Sequence, residues 1–137
     1  MSESISGSCL CNQVKFTVRG PFQLFALCHC SRCRKATGSA HASNIFTHAE
    51  NIEWLAGEEL VRRYELPTAE RFSKCFCAAC GSPVPSLSRD GKRLLIPAGS
   101  LDVDPGVHPQ VRIFLADMAP WYKHLDTAKS FEGAPVL

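Results

Sequence analysis

Apolar and polar residues alternate along Val14-Lys15-Phe16-Thr17-Val18, a period of two that predicts a half-buried β-strand closed by Gly20-Pro21. From Phe22 to Cys28 the chain is apolar enough for a strand buried on both faces. Val61 to Leu66 and Arg71 to Phe76 are set to pair as a hairpin across Pro67-Thr68-Ala69-Glu70. Pro83 to Ser88, Leu94 to Pro97 and Val111 to Leu115 read as further short strands, with Asp90-Gly91 as a turn. Helical signals are confined to Ser31–Thr37 and a short piece after Pro120. Nine Gly and nine Pro are spread through the chain, which favours many short strands over long helices. The expectation is a mostly β fold, antiparallel, in one domain over residues 1–137.

Composition changes this picture little. With 137 residues the chain can bury roughly two-thirds of its unfolded surface, so a core is available without metal. A net charge of +2, with no massed basic stretch, argues against a nucleic-acid partner. No segment approaches the ~18 apolar residues of a membrane span, so no membrane partner is expected. Met1 to Ser8 has neither the basic head nor the apolar run of a secretory signal, and a cytoplasmic location is expected.

The eight cysteines change the picture most. They fall in three clusters: Cys9-Leu-Cys11, Cys28-His-Cys30-Ser-Arg-Cys33, and Cys75-Phe-Cys77-Ala-Ala-Cys80-Gly81. Thiols at one- and two-residue spacing converge on metals, and Cys-x2-Cys before Gly suits a turn that grips one ion with two thiolates. In a reducing compartment such thiols stay reduced; disulfides are the weaker alternative, because Cys-x-Cys is awkward to bridge locally. Joining Cys9 and Cys11 to Cys77 and Cys80 would close a four-thiolate zinc site. Such a site would pin the start of the chain to a distant strand with an apparent ~10–16 kcal/mol.

The middle cluster reads differently. Cys28, Cys30 and Cys33 can fill three corners of a tetrahedron and leave the fourth free, the arrangement of catalytic zinc. The competing reading makes Cys75 the fourth ligand, giving two closed sites and no chemistry. Arg32, Arg34 and Lys35 would offset the thiolate charge, or form a solvated loop face. His29, between two ligands, is expected to point away from them as a supporting or packing residue. His41, His48, His108 and His124 stand alone, and Trp54 and Trp121 read as core or rim aromatics. Asp102-Val-Asp104-Pro-Gly106 lacks the acids of a calcium loop and reads as a turn.

Gly7-Ser-Cys9-Leu-Cys11-Asn-Gln-Val14-Lys-Phe16, Cys28-His-Cys30-Ser-Arg-Cys33-Arg-Lys-Ala-Thr-Gly38 and Phe76-Cys77-Ala-Ala-Cys80-Gly-Ser-Pro83 together resemble the glutathione-dependent formaldehyde-activating enzyme family, which includes centromere protein V. Ala98-Gly99-Ser-Leu101 and Ala119-Pro-Trp121 extend the resemblance along nearly the whole chain. It implies a β-tent fold, a structural zinc on Cys9, Cys11, Cys77 and Cys80, and an exchangeable zinc on Cys28, Cys30 and Cys33. The implied activity is that of a carbon–sulfur lyase, joining glutathione to formaldehyde as S-hydroxymethylglutathione. Glutathione and an aldehyde or other electrophile are then the partners; Arg71 and Lys74 could meet glutathione's carboxylates or be plain strand-surface charges. The cysteines of the middle cluster would act as ligands, or, on a weaker reading, one would attack directly as a thiolate. Two positions depart from the family pattern: Asn12 stands at a usual Gly, a turn position where Asn accepts φ > 0, and Cys75 is an extra thiol. The alternative function is a non-catalytic, zinc-stabilised binding module.

Overall fold

The computed structural model describes residues 3–136 and shows three sheets. In chain order the strands are β1 (Ile5–Ser8), β2 (Lys15–Val18), β3 (Leu24–Cys28), β4 (Ala42–His48), β5 (Ile52–Ala56), β6 (Val61–Glu65), β7 (Ser73–Cys77), β8 (Pro83–Val84), β9 (Ser86–Leu87), β10 (Arg93–Pro97) and β11 (Val111–Ile113). One α-helix, α1 (Ser31–Thr37), follows β3, and the last regular element is a 3-10 helix, Pro120–Thr127. The sheets are ordered β1-β2-β5, β11-β3-β4-β10-β9 and β6-β7-β8. All neighbours pair antiparallel except β11, which runs parallel to β3. The mostly β, antiparallel expectation holds.

The first two sheets enclose the main core of Phe16, Val18, Phe25, Ile45, Leu94 and Ile96. Alternation puts Phe16 and Val18 inward from β2, and Leu94 and Ile96 inward from β10, as the pleat requires. Gly7 pairs with Phe16, and a Cβ there would collide with the Phe16 ring, so β1 can approach only as glycine. A second apolar cluster of Cys9, Val14, Cys75, Cys77 and Val84 ties the third sheet to the turn before β2.

The β6–β7 hairpin forms as expected, with Val61 opposite Cys77 and Glu65 opposite Ser73. Other expectations need correction. The strand expected from Phe22 begins at Leu24 and is not buried on both faces: Leu24 is exposed and Leu27 only half-buried. The strand expected to reach Leu115 ends at Ile113, because Phe114 takes a left-handed φ of 58° that no strand continues through. Pro83–Ser88 is two strands in different sheets: Pro85 has no N–H to offer a ladder, so the chain leaves β7 there and joins β10. Strands β1, β4 and β5 were not among those expected.

Candidate metal centres and groove

The turn between β1 and β2 carries Cys9 and Cys11. Asn12 adopts φ 68° and donates its N–H to the Cys9 carbonyl at 3.0 Å, so the expected left-handed turn position is real. Across the molecule, Cys77 ends β7 and Gly81, at φ 76°, donates to the Cys77 carbonyl at 2.7 Å, turning Cys80 back toward it. The four sulfurs lie within 4.8 Å of one another. Cys9 Sγ is 3.5 Å from Cys11 Sγ, and Cys11 Sγ is 3.9 Å from Cys77 Sγ. A tetrahedron of zinc–sulfur bonds of about 2.3 Å places its corners about 3.8 Å apart, so this donor set fits zinc. The separations are far too long for disulfides, and all eight thiols are free.

Local hydrogen bonds hold two of these sulfurs in place. The Val14 amide reaches Cys9 Sγ at 3.3 Å, and the Ser82 hydroxyl lies 3.3 Å from Cys80 Sγ. Ser82, by side chain and then by amide, holds Cys80 down at about 5. Cys11 goes the other way, to about 11. Its strongest single influence, the Gln13 amide, opposes the rise, but burial and the crowd of Cys9, Cys80 and Cys77 outweigh it.

The second group is built by the β3–α1 junction. Cys28 ends β3, Cys30 is the N-cap of α1 and accepts the Cys33 amide on its sulfur at 3.4 Å, and Cys33 is the helix's one buried residue. All three sulfurs are buried and within 4.8 Å of one another, with Cys28 and Cys30 3.5 Å apart. The hydrogen bond from Cys33 lowers Cys28 to about 6, with help from the Cys30 amide and thiol and the Arg32 charge. Cys33 is pushed up in turn, first by that same bond and then by burial. The spacing of the trio fits three corners of a zinc tetrahedron. Among the described residues no fourth His, Cys, Asp or Glu joins this group.

Cys75, considered as a fourth ligand, is in neither group. It sits mid-strand on β7 opposite Arg63 and Val84, its thiol among the apolar residues of the second cluster. Burial raises it, and the Arg63 guanidinium offsets part of that rise. Cys75→Ser is therefore expected to leave the zinc content of the purified protein unchanged, measured by elemental analysis; loss of one equivalent would put this thiol in a coordination sphere.

A groove of about 1030 Å³ opens beside the trio. Its floor is one face of the five-stranded sheet, where Ala42, Asn44 and Phe46 of β4 lie beside Leu95 and Pro97 of β10. Its walls are Cys33, Ala36 and Thr37 of α1 and the Arg71–Cys75 stretch leading into β7. Arg89 fixes that wall: its guanidinium donates to the carbonyls of Leu66, Ala69, Glu70 and Phe72 at 2.6–3.1 Å. Lys74 lines the groove and donates to the Ala36 carbonyl at the end of α1 at 3.3 Å, and Arg71 lines it alongside.

With the groove and both cysteine groups in place, comparison with known proteins is decisive at the family level. The model of the glutathione-dependent formaldehyde-activating enzyme family matches residues 4–117. The chain belongs to that family. A solved structure of a Rhodobacter sphaeroides protein is similar over 79% of this chain and 98% of its own, with TM-score 0.59 and 23% identity, a likeness of fold. A search of curated proteins returns no match.

The remaining expected residues take their places around this family frame. His29 is fully buried, with both ring nitrogens lacking a protein partner, packed 5.0 Å from the His41 ring and 4.7 Å from Tyr122. It is in neither cysteine group. Burial, then the charges of His41 and Arg112, lower its pKa. His41 thus has a neighbour that isolated positions in sequence did not reveal. Trp54 packs edge-on against Phe16, whereas Trp121 is 59% exposed. Asp104 accepts the Gly106 amide at 2.8 Å, a simple turn. The groove's floor and the Arg89 clamp escaped sequence reading, because residues 42, 46, 72, 89 and 95 share no local pattern. No described helix is long and apolar enough to cross a membrane.

Proposed function

We propose that the protein is a zinc-dependent carbon–sulfur lyase that forms or cleaves adducts between glutathione and an aldehyde. The observation that carries this reading is the Cys28–Cys30–Cys33 trio, three buried thiols without a fourth protein ligand among the described residues, one of them lining a groove that also presents Arg71 and Lys74. Cys9, Cys11, Cys77 and Cys80 would hold a structural zinc, and Cys28, Cys30 and Cys33 an exchangeable one. When bound at the trio, zinc supplies Lewis acidity toward a thiol or a carbonyl oxygen.

The reaction is the addition of a thiol across a C=O bond: the S–C bond forms, the carbonyl π bond opens, and the thiol proton ends on oxygen. The protein's contribution is positioning. Arg71 and Lys74 offer cations to glutathione's carboxylates, Phe72 packs against the trio from the groove's wall, and Arg32 balances the charge of the trio. The reverse reaction uses the same contacts.

The test is metal exchange. One zinc equivalent should leave with a mild chelator and the other stay, and glutathione should slow removal of the labile one by competing at its free corner. Two equally inert zincs would favour a stabilised binding module instead.

A further inference from the structure

The groove is much larger than formaldehyde needs. A two-heavy-atom aldehyde fills about the space of one or two water molecules, each ~30 Å³, against about 1030 Å³ here. Its shape says more than its volume. Ala42 sits in register with Cys28, Asn44 with Pro97, and Phe46 with Leu95. The floor therefore starts beside the cysteine trio and runs along β4, and from Ala42 to Phe46 it covers about 13 Å at ~3.3 Å per residue. Arg93, in register with His48, stands farther along at the rim.

Glutathione alone does not account for this length. Its sulfur is on the central residue, and the longer γ-glutamyl arm, eight bonds from sulfur to carboxylate carbon, reaches about 10 Å at ~1.2 Å per bond, short of the floor's far end. The cations suited to those arms, Arg71 and Lys74, are on the wall rather than on the floor. Along this stretch Asn44, Ser43 and Ser86, the last in register with Leu95, are polar, and Ala42, Phe46 and Leu95 supply the apolar surface. Phe46 and Leu95 are only half-buried, Phe72 faces the groove from the wall, and Leu87 is 41% exposed at its side.

Building on the lyase reading, we propose that the electrophile is an aldehyde with an extended apolar chain, up to about ten carbons at ~1.2 Å per bond. Its chain lies on Phe46 and Leu95, its carbonyl carbon is at the trio, and the glutathione arms rise toward Arg71 and Lys74. The product is a hemithioacetal; no oxidant or reductant enters.

The test uses S-alkylglutathiones, thioethers that cannot react, titrated calorimetrically into the zinc-loaded full chain. A fully buried methylene is worth about fourfold in affinity. With one side of the groove open, we expect about twofold per methylene, or roughly 100-fold from S-methyl to S-octyl. Leu95→Ser should flatten that slope. In parallel, addition of glutathione to formaldehyde and to octanal is followed against the uncatalysed rates. A flat affinity series in the unaltered protein overturns the inference, and acceleration with formaldehyde would then leave the lyase reading standing without it. A steep series with neither aldehyde accelerated keeps the apolar-chain site and removes the lyase reading.

Discussion

Cys77→Ser should yield a protein that melts at least about 15 °C lower than the parent, or does not fold. Cys77 is fully buried, and its sulfur group joins the turn before β2 to the knuckle after β7. A structural zinc contributes an apparent ~10–16 kcal/mol, comparable to the whole stability of a typical domain at ~5–15 kcal/mol. Losing one of four ligands removes several kcal/mol, and each kcal/mol is worth about 3–4 °C at this size. The second apolar cluster would suffer too, since Cys9 and Cys77 are two of its five buried members. Thermal melts by circular dichroism, with zinc content measured on the same samples, decide it. A parental melting temperature in the variant would show that this group does not hold the fold together.

Cys33→Ser should do the opposite: keep the fold and remove the chemistry. Cys33 belongs to the small cluster of Cys28, Cys30 and Ala42, apart from the main core. Its amide bond to Cys30 Sγ uses the backbone and survives the substitution. The expected results are a melting temperature within a few degrees of the parent, loss of one zinc equivalent, and thiol–aldehyde addition at the uncatalysed rate. Retention of both zincs with full acceleration would remove the trio from the mechanism.

Both cysteine groups were legible in the chain because their members come in short clusters spaced by one or two residues. The β6–β7 hairpin was legible for the same reason, its partners being close in sequence. Strand β4 was not, although it lies in the middle of the largest sheet. Its Asn44 and Thr47 interrupt the expected apolar pattern, yet both are buried. Thr47 is accommodated by donating to the Pro21 carbonyl at 2.8 Å and accepting from Asn51 Nδ2 at 2.9 Å. Those partners lie in turns that no periodicity marks. The parallel pairing of β11 depends on a return from Pro97 that local pattern does not encode. The environment of Cys75 was hidden too, since sequence shows a thiol but not the Arg63 and Val84 across the strand from it.

The Cys11 and Cys77 sulfurs meet across 66 residues of chain. A ribosome working at ~5–20 residues per second needs roughly 3–13 s to bridge that gap. Until then Cys9 and Cys11 have no partner thiols, so the four-sulfur group closes only after β7 and its knuckle have been made. The turn before β2 and the third sheet are therefore expected to lock together in one late step rather than in chain order.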